Sequence, residues 1–412
     1  MIHLSHLKTA VKILESYSGG QPFSIFLREF FRADKKYGSR DRKQVARLCY
    51  SYFRIGRVAA GLPIDERILL GVFLCGQAED EFQPDLKPLW AGHFNDPLPD
   101  KCRLAGITYR VEDQFPFSDA ISSSINTGDF AASHFIQPDL FIRIRPGKVE
   151  TIHEQVNKAG IGYREISPSS LAFPNTTKLD GVITADTDAV IQDLSSQRVA
   201  TLFTLMNSGD AVAAHGNTTP VDATWSREAK HLTTGRPLKV WDCCAASGGK
   251  SIMAVDYLGD IDLTVSDIRQ NILVNLQQRF ARAGIKKYRS LVADLGVSAA
   301  TGKGLRGVDL IIADVPCSGS GTWGRTPEHL FYFTREKMEY YSQLQKKIID
   351  NSLPSLADGG HYLYITCSVY KNENEEAVSY LSAKGLTLKH AGYFPGYGEK
   401  ADTLFAALFV KQ

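Results

Sequence analysis

Residues 238–251 read LKVWDCCAASGGKS. A short apolar strand runs into a turn of small residues and paired glycines, where a backbone without bulky side chains can approach a ligand closely. The pattern continues toward the C-terminus. LTVSD (263–267), SLVAD (290–294), VDLIIAD (308–314) and HYLYIT (361–366) are short apolar runs, and LFAALFV (404–410) closes the series. Helical segments separate them: one through Ala283, one from Arg335 to Leu353 and one from Asn372. Strands alternating with helices predict an α/β fold with a mostly parallel, doubly wound sheet, and such sheets bind ligands at the carboxyl ends of their strands. Asp242, Asp267, Asp294 and Asp314 stand at those ends.

The glycine turn is neither a phosphate-cradling loop nor a dinucleotide fingerprint, because only Gly248 and Gly249 precede Lys250 and no GxGxxG is present. Asp267 nevertheless follows at the end of the second strand, where a carboxylate accepts hydrogen bonds from ribose hydroxyls. Asp294, after the third strand, is placed to accept from an adenine amino group. The ordered set points to a nucleoside cofactor.

Upstream the pattern changes twice. Residues 131–185 read as a small α/β module: a strand over Leu140–Ile144, a helix over Val149–Lys158, and short strands near Tyr163 and Leu171. The segment VIQDLSSQRVATLF (190–203) then leads into the sheet and turns helical after Asp193. Residues 1–130 repeat apolar side chains at helical spacing, as in Val45, Leu48, Cys49 and Phe53, and predict an all-α bundle. Ser39 reads as the cap of a helix whose exposed face carries Arg40, Arg42, Lys43 and Arg47. Cys49, Cys75 and Cys102 read as core residues. The expected domains are therefore 1–130, 131–185 and 186–412.

The 412 residues are 43% hydrophobic and 22% charged, which excludes a mainly disordered or collagenous chain. The longest nearly unbroken apolar run, Ile68 to Gly76, is about half of the ~20 residues a membrane helix needs. The opening segment carries Glu15 within an amphipathic pattern, so no signal peptide is read there. Seven cysteines, with no CxxC or HxxxH spacing, argue against a disulfide framework and a metal site; a reducing cytoplasm is expected. The net charge of +2 hides an asymmetry: residues 1–60 carry 12 Lys/Arg against 4 Asp/Glu, and residues 61–130 carry 5 against 12. The basic opening is compatible with phosphate contacts, and a solvated helix face is the alternative.

Two further turns place a cysteine just past a central strand: DVPCSGSGTWGRTPE (314–328) and TCSVYKNENEE (366–376). Together with DCCAASGGK (242–250), they resemble the signatures of the Nol/Nop/Sun family of RNA cytosine-C5 methyltransferases. The likeness covers roughly Ile191 to Val410, including the IQDLSSQ entry and the ADTLFAAL close. The helical N-terminal region resembles the NusB-like domain of the bacterial Sun/Fmu-type 16S ribosomal RNA methyltransferases. Ser247 stands where that family usually has proline, and Gly324 where arginine is common.

The resemblance implies a Rossmann-like methyltransferase sheet and S-adenosyl-L-methionine as cofactor. Cys244, Ala245, Ala246, Ser247, Gly248, Gly249, Lys250, Asp267, Asp294 and Asp314 would hold it. Cytosine C5 is too weak a nucleophile to attack a methyl sulfonium, so a thiolate must first add to C6. By resemblance that thiolate is Cys367, and Cys317 serves product release. Asp314 would bind the cytosine edge, Lys250 would help hold the base, and no metal is required. A helix N-terminus after Cys367 is one expected source of thiolate stabilisation. The target must be single-stranded or flipped out of its stack, with Trp323, Arg325 and the basic helices as RNA contacts. Ribosomal RNA is the expected partner and a monomer the expected state. Transfer RNA, a DNA target, a catalytically inactive ribosome-assembly factor on the same scaffold, and a nicotinamide oxidoreductase are the alternatives; the glycine spacing disfavours the last.

Overall fold

A computed structural model describes residues 4–34, 36–76, 87–206, 236–299 and 305–412. The chain forms two compact units. The first comprises Met1–Ile121, Asn126–Gln137 and Thr322–Arg335. Helices α1 (Leu4–Ser16), α2 (Phe23–Ala33), α3 (Ser39–Arg54) and α4 (Ile64–Cys75) bury their apolar stripes in one core that includes Leu7, Phe23, Leu48, Phe53 and Phe73. Cys49 and Cys102 lie inside it, and Cys75 packs against it partly buried. Ser39 does not cap α3. It is the first helical residue, and the cap is Gly38, whose N–H donates to Asp41 Oδ2 at 3.1 Å. An aspartate in the first turn satisfies the cap in place of a side chain at the cap itself.

Arg40, Arg42 and Lys43 are exposed as expected, but Arg47 is half-buried and desolvation lowers its pKa. The expectation for Trp323 is also corrected. It is 1% exposed, with its ring 5.2 Å from Phe115 and 4.9 Å from Phe333, so it is a core residue of this unit. Five residues on, buried Glu328 accepts the Phe23 N–H at 3.1 Å, one of the donors that the start of α2 leaves without an intrahelical partner.

The second unit comprises Ser122–Ile125, Pro138–Gly321 and Glu336–Gln412. Its smaller sheet is antiparallel, built from β1 (Leu140–Ile144), β2 (Arg164–Ser167), β3 (Ser170–Phe173) and β4 (Ala189–Ile191) in the order β2-β3-β1-β4. Helix α5 (Val149–Lys158) buries Ile152 and Val156 with this sheet's apolar residues.

The larger sheet has seven strands: β5 (Leu238–Asp242), β6 (Ile261–Asp267), β7 (Arg289–Val292), β8 (Val308–Asp314), β9 (Leu356–Thr366), β10 (Leu386–Phe394) and β11 (Leu404–Lys411). Their order is β10-β11-β9-β8-β5-β6-β7. The five strands from β9 to β7 pair in parallel, and β11 runs antiparallel to both β9 and β10. The strand order reverses beside β5, and that switch point is where the glycine turn emerges. Helices α6 (Gly249–Leu258), α7 (Gln270–Arg282), α8 (Arg335–Ser352) and α9 (Glu375–Ala383) fill the crossovers. A buried ion pair, Arg143 to Asp256 at 2.8 Å, ties β1 to α6, so the smaller sheet is anchored to the helix that follows the glycine turn. Among the described residues no helix is long and apolar enough to cross a membrane, and no His/Cys/Asp/Glu cluster could hold a metal.

Candidate active site

The turn after β5 is built for close approach. Ala246 has φ +44° and Gly248 φ +85°, both in the left-handed region. A Cβ on Gly248 would stand 2.6 Å from the Phe280 ring, so only glycine lets α7 pack there. A Cβ on Gly249 would meet nothing within 4 Å, so the turn borders open space that a ligand can fill. Ser247 is not loose without the proline: its hydroxyl and carbonyl accept from Arg279 at 3.0 and 3.1 Å. Arg279 is itself held by Asp186 at 2.7 Å. Burial opposes ionisation of Asp186, yet hydrogen bonds from Arg279 and Arg282 outweigh it and lower its pKa. Cys244 is half-buried and Ala245 buried, its N–H bonded to Ser266 O at 2.8 Å.

Asp267 is 6% exposed and already busy. It accepts the strained Ala246 N–H at 3.1 Å and the Arg269 backbone N–H at 2.9 Å, and it pairs with the Arg269 guanidinium at 3.0 Å. It therefore shapes the turn as well as facing it. Asp294 is exposed and lies two residues past the end of β7, held by the Gly296 N–H at 2.8 Å. Asp242, the first of the four strand-end aspartates, is fully buried and bonded to the Ser251 hydroxyl at 2.6 Å. Burial pushes its pKa up to about 7, against the Ser251 bond, which lowers it.

The reactive groups converge where β5, β8 and β9 lie side by side. Lys250 is 8% exposed, which sets aside a surface role; its Nζ donates to Asp314 Oδ2 at 3.0 Å and to Ser196 Oγ at 2.8 Å. Cys317 and Cys367, fifty residues apart, bring their Sγ atoms to 3.4 Å. The hydrogen bond with Cys367, burial and the nearby charges of Cys367 and Glu373 raise the Cys317 thiol well above its ordinary range. The helix expected after Cys367 is α9, which starts at Glu375 behind a 3₁₀ turn (Lys371–Glu373); its cap residue Asn374 donates to Ser368 O at 2.8 Å and accepts from the Thr366 hydroxyl, on either side of the thiol.

Sequence reasoning missed Ser196 and Glu373 as site residues. Ser196 lies in the IQDLSSQ run and Glu373 in the Glu-Asn-Glu run. Both runs stood out, but nothing in a linear sequence says that one reaches Lys250 and the other both cysteine turns.

The sheet, its switch point and the turn define the class: a Rossmann-like fold of the methyltransferase type. The fold matches the crystal structure of PH0851 with a TM-score of 0.66, at 18% identity, over all of this chain and 99% of that one. It also matches NSun6 from Pyrococcus horikoshii, solved with SFG, at a TM-score of 0.53 and 15% identity over 69% of this chain and 94% of that one. Residues 232–391 carry a domain that matches the family described as 16S rRNA methyltransferase RsmB/F. Ribosomal RNA small subunit methyltransferase B of Xanthomonas campestris pv. campestris is 28% identical over 244 residues, covering 56% of this chain and 54% of that protein. The protein of that name from Salmonella paratyphi A is 30% identical over 210 residues, 48% of each chain. The chain spans about half the length of these curated relatives.

Proposed function

We propose that this protein is an S-adenosylmethionine-dependent RNA cytosine-C5 methyltransferase acting on 16S ribosomal RNA through a covalent cysteine–C6 adduct. The observation that carries the reading is the pairing of Cys317 and Cys367 at 3.4 Å, beside a Lys250–Asp314 pair at 3.0 Å, on adjacent strand ends. The names of the relatives favour ribosomal over transfer RNA. A nucleoside cofactor suits the open space at Gly249 and the carboxylates of Asp267 and Asp294. When bound, it supplies an electrophilic methyl group. Seven unbridged cysteines suit a cytoplasmic enzyme.

In this reading Cys367 adds as thiolate to C6 of an unstacked cytosine, and the displaced π-electron pair makes C5 nucleophilic. Asp314, oriented by Lys250, binds the base edge, and Ser196 fixes the lysine. The hydrogen bond with Cys367 and burial keep Cys317 protonated in the free protein, 3.4 Å from the Cys367 sulfur, where it serves product release. After transfer a water molecule takes the C5 proton, the C5–H electron pair re-forms the C5–C6 double bond, and the C6–S bond breaks with its electron pair returning to Cys367. The presence of both thiols disfavours an inactive scaffold.

The test is incubation of the full chain with 16S ribosomal RNA and methyl-labelled S-adenosylmethionine, followed by nucleoside mass spectrometry. The expected product is labelled 5-methylcytidine. Label on another nucleoside, or none from folded protein that binds the cofactor, overturns the reading.

A further inference from the structure

Below the two thiols lies a buried polar cluster that the chemistry above does not use. Glu373 is fully buried at its centre. One carboxylate oxygen accepts the Ser318 N–H at 2.7 Å and Gln345 Nε2 at 3.1 Å, and the other accepts the Ser368 hydroxyl at 2.7 Å. Ser318 follows Cys317 and Ser368 follows Cys367, so one carboxylate grips the residue next to each thiol. Their hydroxyls also meet at 3.0 Å, and Ser320 Oγ receives the Val369 N–H at 2.9 Å. Gln345 donates to Pro316 O at 3.0 Å, on the other side of Cys317. The turns are pinned a second time by the Gly321 N–H on Cys367 O at 2.8 Å. A Cβ on Gly321 would stand 1.9 Å from Thr403 O, so the close approach of Thr403 to this residue requires glycine.

We propose that Glu373 is a positioning residue that clamps the Cys317 and Cys367 turns together and so fixes the spacing at which the two thiols share one reaction centre. Its catalytic consequence rests on the methyltransferase reading; the spacing itself is a property of the free protein. A buried carboxylate is costly unless its oxygens are met by donors, and here three donors from three segments converge on it. Deleting the carboxylate leaves those donors without their acceptor and frees the turns to separate. An amide in its place keeps an acceptor for Ser318 and Gln345, and the Ser368 hydroxyl can rotate to accept from the amide nitrogen. The conservative variant therefore keeps most of the clamp.

The probe is diamide, a thiol oxidant that takes up the two thiol hydrogens as the S–S bond forms, applied to the full-length protein. Peptide mass spectrometry follows the Cys317–Cys367 bond. Wild-type protein should form it readily. Glu373→Ala should slow it about tenfold or more, since two well-placed groups react through a high effective concentration that loose turns lose. Glu373→Gln should stay within about threefold of wild type, and Ser368→Ala, should the alanine variant at Glu373 not fold, should be slowed as well. In methylation assays Glu373→Ala should lower kcat while leaving S-adenosylhomocysteine affinity and KM for RNA unchanged. A folded Glu373→Ala protein that forms the bond at the wild-type rate overturns the clamp. Variants ordered as stated in a protein that methylates no RNA support the clamp and overturn the methylation reading.

Discussion

Asp242 gives the structure a pH dependence that can be worked out from one buried group. Its carboxyl is fully buried, Oδ2 accepts the Ser251 hydroxyl, and Oδ1 has no hydrogen-bond partner among the described residues. Burial raises its pKa from the ordinary 3.8 to about 7. Below pH 3.8 the folded and unfolded chains both keep the proton, and the group costs nothing. Between 3.8 and 7 the unfolded chain releases it first, so stability falls as pH rises; above 7 both are ionised and the loss levels off. A shift of about three units at ~1.4 kcal/mol each amounts to about 4 kcal/mol, of which about 2.5 kcal/mol falls between pH 5 and pH 8. Asp242→Asn cannot titrate. It keeps an acceptor for Ser251 but buries an amide nitrogen without a partner, at a roughly pH-independent cost of about 1–3 kcal/mol. The stability of the variant relative to wild type should thus move by about 2.5 kcal/mol in its favour between pH 5 and pH 8. Native-state amide exchange of β5 and α6 in a urea series at both pH values measures this locally. Parallel pH dependences, separated by a constant, would refute the reasoning.

Asp267→Ala should weaken S-adenosylhomocysteine binding by one to two decades, because it removes both the proposed ribose acceptor and the acceptor that holds Ala246 in its left-handed conformation; calorimetry giving wild-type affinity in a folded variant rejects the assignment. Reversing Arg40 and Lys43, exposed on α3, to glutamate should weaken RNA binding and flatten its salt dependence, since fewer counterions are released. An unchanged salt slope makes that face merely solvated. Trp323→Ala should destabilise the helical unit by about 3–5 kcal/mol in urea titrations, as large-to-small core changes do. Wild-type stability with impaired RNA affinity would return Trp323 to the RNA.

Much of the fold was legible because strand and helix periods differ and the chain keeps them apart. The runs ending at Asp242 and Asp314 are strands β5 and β8 to the residue, and the run ending at Asp267 closes β6, which starts two residues earlier. What escaped was β10 (Leu386–Phe394), an edge strand paired in the sheet with β11, whose LTLKHAGYF carries a lysine, a histidine and a glycine and lacks clean alternation. Local chemistry was enough to place Lys250, Asp314 and the two cysteines at neighbouring strand ends. The site was illegible where the role comes from tertiary neighbours. Glu373 looks like a helix-leading acid until the fold sets Ser318 and Ser368 against it, and Trp323 looks like a stacking platform until Phe115 covers it. Ser247, which stands where the family usually has proline, is held by Arg279 from a helix about thirty residues on.

The account turns on two touching thiols with different jobs, and a denaturing gel separates them most directly. Each protein is mixed with substrate RNA and S-adenosylmethionine, and covalent RNA–protein bands are measured. Cys367→Ala cannot form the C6 adduct and should give neither methylation nor a shifted band. Cys317→Ala should still attack and transfer the methyl group but release slowly, so a shifted band should accumulate. A shifted band for Cys367→Ala and none for Cys317→Ala would contradict the account and move the nucleophile to Cys317.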